Sequence, residues 1–168
     1  MSAMSVNLNE SITPHTEAYR INVAGLTARV HLWNGDIVEA SFYLRPSGSM
    51  SSGMEGLGER LNDPKTMFLA CKVDQQVQLL HLNAIAYIYM PGLTDEVEHL
   101  ETLGAQRQPA RITLRTCETL NGEFFSILPP SRSRVSDLLN EPGRRFVLFL
   151  HQGGTCWVNR KAIARVWT

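Results

Sequence analysis

The chain has 168 residues, 43% apolar and 19% charged, with 16 Lys and Arg against 16 Asp and Glu. This is the composition of a folded globular protein, and its longest apolar runs, such as Phe146–Leu150, are far too short to span a bilayer. Cys71, Cys117 and Cys156 form an odd count without Cys-x-x-Cys spacing, which argues against a disulfide framework and a structural zinc and for ordinary reduced thiols.

The zero net charge is unevenly divided. Residues 1–91 carry six Lys/Arg and eight Asp/Glu, residues 92–109 one and four, and residues 110–168 nine and four. The basic second part could steer an anionic partner or attract the acidic first part.

The opening MSAMSVNLNESITP lacks the basic start and apolar core of a signal peptide, so a frayed tail over 1–18 and a cytoplasmic chain are expected. Tyr19–Ala24 reads as an edge strand. Residues 28–33 alternate cleanly, and Asn34-Gly35 turns them back into residues 36–44, giving a hairpin whose apolar face holds Val30, Leu32, Val38 and Phe42. Residues 46–58 are a Gly/Ser-rich stretch without the Gly-Lys-Ser/Thr of a phosphate loop, and read as a mobile loop. Residues 59–64 make a joint: Leu61 tucks under the sheet, Asn62 and Asp63 suit a turn, and Pro64 stops a helix. Strands follow at 66–73, 77–82 and 84–90, with a turn at 74–76 and a break at Asn83.

Residues 94–103 are the one convincing helix, with Thr94 at its cap, acids in its first turn, Leu93, Val97, Leu100 and Leu103 on one face, and Gly104 after it. Beyond it, 110–114 and 124–128 read as a strand pair turning at Asn121-Gly122. A Pro129-Pro130 loop with Arg132 and Arg134 follows, then a second joint at 137–142 and strands at 145–151 and 155–167 around Gly153-Gly154.

The second part echoes the first. Residues 61–89 recur without a gap as residues 139–167, 78 positions on, with seven identities in twenty-nine: Leu61/Leu139, Asn62/Asn140, Pro64/Pro142, Phe68/Phe146, Ala84/Ala162, Ile85/Ile163 and Ala86/Ala164. One offset with apolar matched to apolar predicts an internal duplication. The expected organisation is mainly β: a first barrel over 19–91, a linker helix within 92–109 and a second barrel over 110–168.

A hydrophobic strand, Asn-Gly, a return strand, then a strand, a tight turn and a closing Ala-Ile-x-x-Ile/Val resembles the plan of the Sm-like barrels, including the bacterial Sm-like RNA chaperone. The nearest matches are Val30–Asp36 and Gln78–Pro91, with Asn159–Val166 in the second copy. The resemblance implies two Sm-like or SH3-like small barrels in tandem, and binding or assembly without catalysis. The chain departs from the pattern at Ala40, where a second glycine is expected, and lacks the Asp-x-x-Asn that follows. The family's RNA-reading Lys-His pair is Leu82-Asn83 in the first copy and Arg160-Lys161 in the second. Sm-like rings assemble through free strand edges; a tandem chain could use its edges internally as a closed pseudo-dimer, or two chains could complete a larger ring. Receptors of cyclic dinucleotides of the PilZ type offer a lesser likeness through Arg132, Arg134, Arg144 and Arg145, without the family's arginine spacing or its second motif.

No catalytic signature stands out. The histidines are scattered, and Cys156, though beside a turn, has no flanking base. No cofactor or metal is expected, nor a membrane; a protein partner or self-association is the leading expectation. The rival is single-stranded RNA held by Arg132, Arg134, Arg144, Arg145, Arg160 and Lys161, with Phe146 or Trp157 stacking on bases if exposed. The same basic set could equally be a solvated face. Phe146 aligns with Phe68, which points to a core role for both.

Overall fold

The computed structural model describes residues 25–44, 56–127, 129, 131 and 134–168. The Tyr19–Ala24 strand, most of the Gly/Ser stretch and Arg132 therefore lie outside the described residues. Ten strands form one antiparallel sheet: β1 (Gly25–Leu32), β2 (Ile37–Tyr43), β3 (Phe68–Val73), β4 (Gln76–His81), β5 (Ile85–Met90), β6 (Gln106–Leu114), β7 (Thr119–Ser126), β8 (Phe146–His151), β9 (Gly154–Asn159) and β10 (Ile163–Trp167). Three short helices punctuate them: α1 (Leu57–Asn62), α2 (Asp95–Thr102) and α3 (Val135–Asn140).

The strand order is β10-β6-β7-β8-β9-β5-β1-β2-β3-β4. Each half thus lays its strands down as fifth, first, second, third, fourth. From α1 to β5 every element begins 78 residues before its counterpart between α3 and β10, including the 3-10 turns Leu82–Ala84 and Arg160–Ala162. These turns are capped alike. The His81 ring accepts from the Asn83 N–H at 3.1 Å and the Asn159 side chain from the Lys161 N–H at 3.0 Å.

Two expectations about the strands are corrected. The second hairpin turns at residues 115–118, where Cys117 holds φ +69° in the place that Gly35, at φ +91°, fills in the first. Asn121-Gly122 lies inside β7. Gly122 is required there by packing, since a Cβ would sit 1.7 Å from the Leu150 carbonyl oxygen on β8. The second half also begins at Gln106, four residues before the expected start, because Gln106–Pro109 pair with residues 123–126 of β7.

The chain does not fold as two separate barrels. The free side of β5 pairs with β9, through Tyr87↔Val158, Ile88↔Trp157, Tyr89↔Cys156 and Met90↔Thr155, so the halves share one sheet. The core is shared as well: Phe125, Phe146, Leu148, Leu150 and Trp157 of the second half pack into the cluster built by Val30, Phe42, Leu61 and Ile88 of the first. A second cluster around Phe124 and Phe149 takes in Ala86 and Tyr87. Among the described residues the sheet does not close on itself, since β4 and β10 end it without a neighbouring strand.

The linker helix forms where expected. Thr94 is its N-cap by backbone position, yet its hydroxyl makes no cap bond. Only Val97 of the expected apolar face is buried; Leu93 and Leu103 are exposed. What anchors α2 is Glu96, whose carboxylate accepts from the Gly58 N–H at 2.7 Å and the Trp157 indole N–H at 3.1 Å. The Gly/Ser stretch ends against this contact. A Cβ on Gly56 would lie 2.2 Å from the Glu96 carboxylate, and a helix begins at Leu57 where a loop was expected.

Candidate functional site

Four of the six expected RNA-binding residues meet at the junction of the two halves. Arg144, Arg145, Arg160 and Lys161, with Asn83 and Asn159, line an open cavity of about 360 Å³. The fold brings them there by carrying the turn before β8 and the 3-10 turn before β10 to the same end of the sheet, beside the corresponding turn of the first half. Asn159 cements this contact, its amide donating to the Ile85 carbonyl at 2.9 Å. Arg134 stands elsewhere, at the N-cap of α3 and beside a different groove, so the arginines named for a cyclic-dinucleotide site are not assembled.

Most of this basic set already has partners. Arg145 donates to the Asp63 carbonyl and Arg160 to the Glu141 carbonyl, while Arg144 pairs with the Glu141 carboxylate at 2.8 Å. A guanidinium has five donors, so each keeps some for a ligand. Lys161 is exposed, and its ammonium has no ion-pair partner among the described residues. Among the described residues no aromatic side chain lines the cavity. Phe146 and Trp157 are both buried, so neither can stack on a base.

Asn62 was expected to shape a turn; instead it joins the halves. Its side-chain oxygen accepts from the N–H groups of Arg145 (2.8 Å) and Phe146 (2.9 Å), and its amide donates to the carbonyls of Gly58 (3.0 Å) and Phe146 (3.1 Å). Asp63 is the turn former, bonded to the Lys65 N–H and the Thr66 hydroxyl.

The remaining titratable groups form links between elements. Tyr87 donates to Glu118 at 2.6 Å, and His31 stacks on the Tyr87 ring at 3.9 Å, where burial holds the imidazole below its usual range. Cys156 is buried, which pushes its thiol up to about 12 and removes it as a nucleophile. His99 is exposed on α2, as its isolation in the sequence suggests. Among the described residues no three His, Cys, Asp or Glu side chains converge as a metal site would need, and no helix is long and apolar enough to cross a membrane.

The surfaces that sequence inspection missed are the sheet ends. Val77 and Leu79 on β4 are 69% and 66% exposed, and Phe68 beside them is 51% exposed. Their counterparts in the second half, Thr155, Trp157 and Phe146, are all buried. The signal was available in the pairing of Leu79 with Trp157 at the fixed offset, but exposure depends on a neighbouring strand that no local pattern announces. No protein-family model, no curated protein and no solved structure matches this chain.

Proposed function

We propose that the chain is a non-enzymatic binding and assembly module: two Sm-like small barrels, related by duplication, fused through one sheet and binding other protein chains at the open edges β4 and β10. The observation that carries this reading is the exposure of Val77 and Leu79 on the end strand β4, and of Phe68 beside them on β3, with no strand on the outer edge of β4 among the described residues. An added strand would satisfy the free backbone groups of that edge and cover apolar side chains worth about 1.5–3 kcal/mol each when fully buried. The like order of the five strands in each half and the 3-10 turn before each Ala-Ile strand support the duplication, and Gly122 stands where the Sm pattern has its second glycine. Three unbridged thiols fit a cytoplasmic setting.

The test is photo-crosslinking in the cells that make the protein, with a photoreactive residue placed at Gln78, at Arg165 or, as control, at Glu98 of α2. Protein adducts at the first two positions and none at the third are expected. Adducts at neither edge would discard the proposal.

A second reading is favoured by the basic cavity. Single-stranded RNA would lay phosphates against Arg144, Arg145, Arg160 and Lys161, with the exposed Asn83 offering hydrogen bonds to bases. Steep loss of affinity with salt is its signature.

A further inference from the structure

We propose that the seam between α2 and the second half is a binding site for a small neutral aromatic molecule, seated between Trp157 and Leu138 with Leu100 as its gate. The site lies away from the sheet edges, shares only Arg144 with the basic cavity, and does not depend on edge binding.

The seam exists because neither of its sides can close it. Two bonds from the Gly58 and Trp157 N–H groups to the Glu96 carboxylate fix how near α2 approaches β9. Val97 is the one buried residue of the helix, and Leu100, a turn further on, is half-buried. Trp157 cannot shift to fill the space, since a Cβ on Gly58 would already lie 2.0 Å from its ring on the α1 side.

Two hollows remain, and Leu100 and Trp157 line both. The inner one, of about 100 Å³, is walled by Leu100, Phe125, Leu138, Leu148 and Trp157. The outer one, of about 160 Å³, is bordered by Glu96 and by the exposed Glu59 and His99, so it opens to water. Side chains that are not fully buried change rotamer quickly, and rotation of Leu100 would join the two hollows.

The walls select the ligand. Phe125, Leu138, Leu148 and Trp157 are all buried, and the indole N–H is already given to Glu96. An apolar hollow of this kind stays dry and takes up single rings such as benzene, because water finds no partners in it. Two of its walls are aromatic, which favours a flat ring through offset or edge-on contacts. The charged residues that line it are Glu141 and Arg144, which face each other at 2.8 Å. Their charges cancel, so an ionised ligand gains nothing there to offset its loss of water.

The experiment is a titration of the purified, isotope-labelled full chain with benzene, followed by NMR. Saturable shifts of the Trp157 indole N–H and of the Leu138 and Leu148 methyl groups are expected, and none with benzoate. Leu148→Phe, which fills the inner hollow, should abolish the response. Leu100→Phe, at a half-buried position, is the second obstruction should Leu148→Phe fail to fold by circular dichroism. Leu100→Ala, which joins the hollows, should admit naphthalene, which wild type should refuse. No saturable shift with benzene up to its solubility overturns the inference, as does a response that Leu148→Phe and Leu100→Phe leave unchanged. Shifts confined to Val77 and Leu79 would put the probe on β4 and overturn it too. Equal binding of benzoate would overturn the neutral ligand, and naphthalene that binds wild type and Leu100→Ala alike would overturn the gate.

Discussion

Gly58 and Trp157 meet face to face across the junction of the two halves, with no space for even one methyl group between them. Gly58→Ala should therefore push the indole out of its site and loosen its bond to Glu96. A cost of about 1–3 kcal/mol is expected for such overpacking. Gly122→Ala should cost more, because the atom it meets is the Leu150 carbonyl, which is held in the β7–β8 ladder and cannot rotate away. Denaturant midpoints of the two variants against wild type check both the size and the order.

Glu96 ties α2 to both halves at once, and its withdrawal from water raises its pKa above 4.5, although the Gly58 and Trp157 N–H groups pull it back. Glu59 and Asp95 add to the raising. A carboxyl raised on folding binds its proton more tightly in the folded state, so its contribution to stability is complete below pH 4.5 and declines as pH rises through the folded value. Glu96→Gln lacks this dependence. It should lose about 1–3 kcal/mol through the acceptor taken from one N–H, and the deficit should be greatest in acid and shrink upward from pH 4.5. Urea melts of both proteins at several pH values read the difference; a deficit that grows with pH would contradict the assignment.

The two matched asparagines should behave differently. Asn62→Ala strips the acceptor from the Arg145 and Phe146 N–H groups and should destabilise the chain by at least about 2 kcal/mol. Asn140→Ala, at an exposed site, should change the stability of an isolated chain by less than about 0.5 kcal/mol. Thermal melts at low concentration separate the two.

Lys161→Glu tests the basic cavity cleanly, since its ammonium holds no other element in place. If single-stranded RNA binds there, the substitution should weaken binding and flatten the slope of affinity against salt by about one unit, with the melting temperature unchanged. Arg160→Glu should lower the melting temperature as well, because that guanidinium holds the Glu141 carbonyl. Binding that ignores Lys161 would remove the cavity from consideration.

Much of the architecture was legible because it is local or repeated. The 78-residue offset places the paired strands after the two joints and the breaks before their closing strands, since each depends on the same short pattern of Leu, Pro, Phe and Ala-Ile in both halves, whereas helices α1 and α3 at those joints were not expected. Asn34-Gly35 was read correctly because a tight turn is decided by the φ its own residues can adopt. Asn121-Gly122 carries the same dipeptide for another reason: its glycine answers to a carbonyl twenty-eight residues further on, which no window of sequence contains. The gathering of Arg144, Arg145, Arg160 and Lys161 was half visible, their positive charge being plain and their shared cavity not.

Composition and periodicity suffice to show that the chain is mainly β, that its two halves are alike and that the second is the basic one, because they set which segments are strands and which of their faces are apolar. That the halves share a single sheet follows from long-range packing. Backbone hydrogen bonds at a strand edge accept any neighbour of suitable register, so it was the side chains around β5 and β9 that selected that pairing: Trp157 over Gly58, Asn62 on β8, Asn159 on the Ile85 carbonyl. The same choice left β4 and β10 open, with Leu79 exposed at one end of the molecule and the groove beside Ser136 empty at the other.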